Sequence, residues 1–322
     1  MRIAMIGWLK GLPHPCDGQG GIEKTTAILA TELIRQGHEV SFIAPEGSYV
    51  EGATHFWTND FDEAYTLVKD LQVDVIHSNE CWALESVVRR HLDTPFIAET
   101  HVNDAIGFSK NVVYLSKSQR AKHAGQLGRD LSNSPVVYVP INPLLKPIGL
   151  PRAEYLLYLG RVAPYKGVLE AAAVAKLLKR TLMIAGPAAG SYADEIQEKY
   201  PDVLWLGEVK DPLRSELIEQ AYGMMNLFNS SGGWSEPGCG TVGEALAFNT
   251  PIAIFPNGVL PELVIDGQNG WVANTVDDMA TNIEYAPYPS TFAPFQEQFS
   301  VENITRQYAA LYERVIQGES WG

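Results

Sequence analysis

Short apolar runs alternate with amphipathic stretches along most of the chain. The runs Ile3 to Gly7, Glu39 to Ala44, His55 to Thr58, Val73 to His77, Pro95 to Glu99, Val112 to Leu115 and Pro135 to Val139 are predicted strands. Between them, Ile22 to Gln36, Glu63 to Leu71, Trp82 to Arg90 and Ser118 to Leu127 are predicted helices. A second series begins after a proline-rich stretch, INPLLKPIGLPRAE (141–154), which breaks the pattern. Its strands are Tyr155 to Leu159, Leu182 to Ala185, Val203 to Leu206, Met225 to Phe228, Ile252 to Phe255 and Trp271 to Ala273. Its helices start at Lys166-Gly167, Ser191, Asp211-Pro212 (read as N-cap and N1), shortly before Glu244, Pro261 and Thr275, where Thr275-x-x-Asp278 is a capping pattern. Residues 285–300, rich in proline and aromatics, read as a loop, and Val301 to Ile316 as a final amphipathic helix. Short apolar strands alternating with helices imply parallel sheets covered on both faces, an α/β class.

The length of 322 residues fits two domains. The expected division is residues 1–147, residues 148–300, and a C-terminal helix and tail, 301–322. Apolar residues make up 46% of the chain, enough for two cores. The net charge is -14, and residues 1–150 carry 17 acidic against 13 basic side chains. The rest carries 21 against 11, so neither half has the basic excess of a nucleic-acid protein or of a strong binder of anionic lipid. Cys16, Cys81 and Cys239 are too few and too scattered for a zinc site or a disulfide framework. The N-terminal apolar run is too short for a signal peptide, and no stretch is of membrane-spanning length. A cytoplasmic protein without a metal is the expectation.

Candidate chemistry concentrates in GGWSEPGCGTVGEALAFN, residues 232–249. Glu236 stands in a loop and Glu244 just inside a helix, with Gly238, Gly240 and Gly243 between them. Glycines let backbone amides approach a ligand, and amides at a helix N-terminus favour anions. Two carboxylates beside such amides suit a ligand with an anionic part and hydroxyl groups, as in a nucleotide sugar. The same residues also read as a plain capping box, Thr241 at N-cap and Glu244 at N3. Arg161 and Lys166 flank one strand-to-helix loop, GRVAPYKG, where two cations and a helix start can hold a diphosphate. The first loop carries Gly11, Gly18, Gly20 and Gly21 spread too widely for a dinucleotide fingerprint, and GQGGIEKT is not a P-loop. Polar residues at strand ends, where open sheets bind ligands, are His77, Glu80, Glu99, His101 and Asn103.

These motifs resemble the retaining glycosyltransferases of family 4. The match rests on Glu236, seven residues, Glu244, then Ala245 and a buried strand; on Gly160-Arg161 and Lys166-Gly167; on Gly20-Gly21 in the first loop; and on GVLPELV at 258–264. The sequence departs from the family where Gly238-Cys239-Gly240 replaces Phe-Gly-Leu, which removes an aromatic beside the donor sugar, and where Pro143 replaces the glycine after Asn142. The resemblance implies a GT-B fold, two Rossmann-like domains facing each other across a cleft, with the acceptor side first and the nucleotide-sugar side second. It implies transfer of a sugar from a nucleoside-diphosphate sugar of UDP or GDP type to a hydroxyl of a saccharide, glycolipid or small-molecule acceptor in carbohydrate biosynthesis, with retained configuration and no metal.

Carried over residue by residue, Arg161, Lys166, Glu236 and His101 are the expected catalytic residues. Gly20, Gly21, Gly207, Gly240, Thr241 and Glu244 join Arg161, Lys166 and Glu236 in donor binding, with Glu244 on the ribose, Glu236 on sugar hydroxyls and His101 contacting the sugar from the first domain. Glu236 is not expected to be a covalent nucleophile, because a retaining glycosidase sets two carboxylates roughly 5 Å apart about the glycosidic bond. Two other readings stay open: a sugar-nucleotide epimerase of the same architecture, and a non-catalytic nucleotide-sugar-binding protein.

Overall fold

The computed structural model describes residues 1–16, 20–79, 93–104, 110–188, 190–229 and 231–322. The helix expected at Trp82 to Arg90, and Gly18, Glu80 and Cys81, lie outside the described residues. The chain divides into two compact units, Met1–Pro140 with Ser300–Gly322, and Ile141–Phe299. Residues 141–147, assigned to the first domain on sequence grounds, cluster with the second unit.

The first unit holds β1 (Arg2–Ile6), β2 (Glu39–Ala44), β3 (Thr54–Trp57), β4 (Val75–Ser78), β5 (Phe96–Thr100) and β6 (Val112–Tyr114). They form one sheet in the order β3-β2-β1-β4-β5-β6, and every pairing is parallel. Pro135 to Val139, expected as a seventh strand, makes a single bridge, Tyr114 to Val136. Pro135 and Pro140 bracket this segment and have no N–H to donate, so a ladder does not extend there.

The second unit repeats the plan with β7 (Leu156–Leu159), β8 (Leu182–Ala185), β9 (Leu204–Gly207), β10 (Gly223–Asn226), β11 (Ile252–Ile254) and β12 (Gly270–Val272). Its order, β12-β11-β10-β7-β8-β9, is the same doubly wound arrangement counted from β7. In each sheet the order reverses beside the first strand, between β1 and β4 and between β7 and β10. Crossovers leave on opposite faces at that point and open a crevice at the strand ends, where α/β sheets bind ligands.

The residue patterns explain most elements. Helix Gly21–Arg35 buries Ala27, Leu29, Ala30 and Leu33 against the first sheet. Ser116 caps Lys117–Leu127 by accepting from the Gln119 amide at 3.1 Å, and Thr275 caps Val276–Tyr285 by accepting from Asp278 at 3.1 Å. The expected N-cap at Asp211 is corrected: helix Leu213–Gln220 starts later, Pro212 holds the cap position, and Asp211 instead accepts from the Ser215 hydroxyl at 2.5 Å. Residues 285–300 are not all loop, since Ala293–Gln298 is a short helix that sets Phe295 into the core.

The C-terminal helix Val301–Ile316 belongs to the first unit. Ile304, Tyr308, Leu311, Tyr312 and Val315 form its buried stripe and share a core with Ile3, Met5 and Leu33. The tail is pinned beyond it: Trp321 donates its indole N–H to the Val112 carbonyl at 2.9 Å, and its carbonyl accepts from the Asn111 amide at 2.9 Å. Trp321→Ala removes a buried aromatic together with its hydrogen bond. It is expected to cost about 3 kcal/mol, read as a lowered denaturant midpoint. An unchanged midpoint would show that the tail is not part of this core.

Candidate active site

The reversal point of the second sheet gathers the candidate residues. β7 ends at Gly160-Arg161, a short 3-10 turn Pro164–Lys166 comes next, and helix Val168–Leu177 begins after Gly167. Gly167 sits at φ +68°, and a Cβ there would stand 1.7 Å from the Leu227 carbonyl oxygen. Only glycine lets this turn lie against the end of β10, and that approach sets Lys166 beside the loop carrying Glu236.

Lys166 Nζ lies 2.5 Å from Glu236 Oε2, with the two side chains 14% and 9% exposed. The same carboxylate oxygen accepts from the Trp234 indole N–H at 3.1 Å. Three rings surround the ammonium, with centroids 4.2 Å away for Phe228, 5.2 Å for Trp234 and 5.7 Å for Tyr165. Tyr165 and Trp234 pack on each other at 4.5 Å. A cation so enclosed gains from the rings and from the carboxylate together.

Two asparagines hold the loops in register. Asn229, after β10, donates to the Pro164 carbonyl at 2.9 Å, and its amide reaches the Tyr165 carbonyl at 3.1 Å. Asn257, after β11, accepts from the Glu236 amide at 2.9 Å and donates to the carbonyls of Asn229 and Trp234. Gly258 and Val259 complete the clamp: the Val259 amide donates to the Glu236 carbonyl at 2.8 Å, and a Cβ on Gly258 would meet that oxygen at 2.1 Å.

Glu244 stands elsewhere in the same segment. It lies in helix Gly240–Ala247 and takes a hydrogen bond on each oxygen, at 2.8 and 2.7 Å, from Arg214 Nη2. The capping-box reading is therefore corrected. Cys239 holds the N-cap position without capping a helix amide through its side chain, and Thr241 accepts from Asn226 Nδ2 at 2.8 Å. Asn226 of β10 draws the threonine hydroxyl inward, and the helix begins one residue before Thr241. Arg161 is exposed and makes no ion pair among the described residues; its carbonyl accepts from the Tyr158 hydroxyl at 2.7 Å. Gly207 closes β9 and accepts from the Gly186 amide at 2.7 Å. The site residues of this unit thus fall into a joined pair, Lys166 and Glu236, with Glu244, Arg161 and Gly207 separate around it.

In the first unit, Gly20 and Gly21 stand at the start of the helix after β1. The loop before them folds back on that helix, with the Leu12 amide donating to Glu23 at 3.2 Å, and on Ser48, whose hydroxyl accepts from the His14 amide at 2.9 Å. His101 comes just after β5, its Nε2 3.1 Å from Glu99 Oε1. Glu99 is 1% exposed, and its other oxygen meets His77 Nε2 at 3.3 Å and accepts from the Tyr308 hydroxyl at 2.6 Å. His77 Nδ1 lies 2.7 Å from the Tyr312 hydroxyl. Burial pushes the Glu99 carboxyl up, but His101 and His77 beside it outweigh that and hold it below the usual carboxylate range. His77 is thus an interior anchor, and Asn103 accepts from Lys122 at 2.9 Å.

Sequence reasoning missed Trp234, Asn257 and Arg214. An aromatic two residues before Glu236, a Pro-Asn-Gly turn and a cation in the first turn of a helix were the available signals. No group of three or more histidine, cysteine or acidic side chains suited to a metal occurs among the described residues. No described helix is long and apolar enough to cross a membrane.

Residues 153–286 match the model of the family described as glycosyl transferases group 1. AviGT4, a glycosyltransferase involved in avilamycin A biosynthesis, is 26% identical, aligns over 100% of this chain and 99% of its own, and superposes with a TM-score of 0.84. The chain is a GT-B glycosyltransferase similar to family 4. A Rickettsia africae glycosyltransferase shares this transferase's fold at 17% identity and a TM-score of 0.77, over 99% of each chain. Anabaena Alr3699/HepE, solved with UDP and glucose, does so at 17% identity and 0.70, over 97% of this chain and 99% of its own. No curated protein matches the sequence.

Cys239 stands between Glu236 and Glu244, yet burial and the nearby Glu236 charge push its thiol up to about 11, against the opposing pull of Lys166. It is therefore a packing residue at neutral pH. Iodoacetamide at pH 8 is expected to leave Cys239 unmodified in the native protein and to label it after unfolding, as read by mass spectrometry of the digested chain. Rapid native labelling would contradict the burial assigned here.

Proposed function

We propose that this transferase moves a sugar from a nucleoside-diphosphate sugar of UDP or GDP type to an acceptor hydroxyl with retained anomeric configuration. The observation that carries the reading is the meeting of Lys166 and Glu236 at the reversal point of the second sheet. In the reaction the anomeric carbon–oxygen bond breaks toward the diphosphate and a bond to the acceptor oxygen forms. The acceptor proton passes to the departing phosphate oxygen on the same face. The chemical difficulty is negative charge gathering on that diphosphate. Lys166 and the exposed Arg161 would compensate it, together with the free amides at the start of helix Gly240–Ala247, including those of Gly240 and Thr241.

An ammonium has three donors, so Lys166 can face a phosphate and keep Glu236. The Trp234 indole N–H holds the same carboxylate oxygen and would keep Glu236 aimed at sugar hydroxyls as the lysine turns to the leaving group. Glu244 would accept from the ribose, and Gly207 would line the nucleotide. His101, Gly20 and Gly21 keep the roles that the resemblance implies, at the sugar and the phosphates. The enclosed Lys166 and the exposed Arg161 would supply the charge compensation, so the proposed route requires no metal.

Lys166→Ala is expected to lower kcat by roughly a hundredfold or more, while Lys69→Ala, on an exposed helix face, leaves it unchanged. Equal activities in two variants that both fold by circular dichroism would remove Lys166 from the mechanism. UDP and GDP are the first donor probes, because the Anabaena protein was solved with UDP. At one hundred times its dissociation constant, the correct nucleoside diphosphate stabilises the folded protein by about 2.7 kcal/mol, visible as a raised melting temperature. With the matching sugar nucleotide and an acceptor, the product's anomeric configuration by NMR is expected to equal the donor's. An inverted product would overturn the retaining assignment, and a changed sugar nucleotide formed without acceptor would indicate an epimerase.

A further inference from the structure

Arg214 occupies the first turn of helix Leu213–Gln220, where the helix dipole disfavours a cation. Something must offset that cost, and the only partner its side chain has among the described residues is Glu244. The pair is 16% and 17% exposed, too enclosed for an ordinary surface ion pair yet open enough for a ligand to reach. Its geometry is also incomplete. A guanidinium usually meets a carboxylate with two nitrogens side by side. Here the single nitrogen Nη2 reaches both oxygens, at 2.8 and 2.7 Å. The N–H groups on Nε and Nη1 have no partner among the described residues, and the carboxylate keeps further lone pairs.

A neighbouring donor and acceptor, each half used, match a vicinal diol. Each hydroxyl of a diol both gives and takes a hydrogen bond, so a carboxylate alone satisfies only the giving half. We propose that Arg214 and Glu244 act as one ribose-recognition pair, Glu244 accepting from the ribose hydroxyls while Arg214 donates to their oxygens. The inference rests on the donor reading above, which puts the ribose at Glu244. It makes Arg214 a specificity-determining residue: a deoxyribose would lack a hydroxyl that both gives and takes a hydrogen bond at this pair, a loss of about tenfold to a hundredfold in affinity for hydrogen bonds to charged groups. The bland alternative is a tie between two helices, and it predicts no dependence on the sugar's hydroxyls.

The test is calorimetric binding of UDP, GDP and their 2′-deoxy and 3′-deoxy analogues to the full chain and to Arg214→Met. The wild-type protein is expected to bind one ribonucleotide at least tenfold more tightly than one of its deoxy forms, and Arg214→Met to shrink that ratio to about threefold or less. Arg214→Lys, which keeps the charge but not the fork, is the second variant should Met not fold. It is expected to reduce the ratio while leaving affinity for the deoxy probe near the wild-type value. A variant that weakens both nucleotides equally, or that keeps the full ratio, overturns the proposal, as does a wild-type protein that binds UDP or GDP without discrimination. Binding of neither nucleotide by the wild-type protein would instead sink the donor reading itself.

Discussion

One enclosed ion pair organises the second unit. Lys166 comes from the turn after β7 and Glu236 from the loop after β10, and the two meet because those strands are neighbours where the sheet order reverses. Neither charge is stable in such a place alone. The aromatic rings of Phe228, Trp234 and Tyr165 shield the ammonium from water, and Trp234 and Asn257 fix the glutamate's side chain and backbone. The surrounding packing can be read as the support this pair needs. Gly167 brings the lysine turn against β10, Gly258 lets the next loop pass under Glu236, and Asn229 ties the two sides.

The first unit solves a similar problem with a different residue set. Glu99 is a charge in the interior, and it persists because two imidazoles and the Tyr308 hydroxyl converge on it. The consequence for His101 is orientation. Its Nε2 is turned toward the carboxylate, which leaves the opposite ring edge as the one that faces away from the core. Tyr308 and Tyr312 come from the C-terminal helix, so the placement of a residue just after β5 depends on side chains some two hundred positions later.

The fold was legible because parallel strands covered on both faces write themselves as short apolar runs. β2, β8 and helix Val301–Ile316 fall where the periodicity puts them. The errors occur where local signals compete with tertiary partners. Thr241 is a good N-cap by type, but Asn226, on a strand fifteen residues earlier, takes its hydroxyl. Asp211-Pro212 is a good helix start by type, but the helix begins one residue further on. The charged motifs were legible as a list and not as a set of partners. Spacing marked Lys166, Glu236 and Glu244 alike, yet only the sheet order reveals that Lys166 joins Glu236 while Glu244 takes Arg214. Nothing local in GGWSEPG says that the tryptophan will hold the glutamate.

The two units are not consecutive in the chain. Residues 141–299 form one, and the other is assembled from the segments on either side of them. During synthesis the later unit emerges as a continuous piece, able to form its own core as soon as it clears the ribosome. The earlier one must wait with β4 and β5 uncovered until Ile304, Tyr308 and Trp321 have been made. Until then the apolar side chains that Ile304 and Tyr308 cover stay exposed on the nascent first half, a surface of the kind that a chaperone holds.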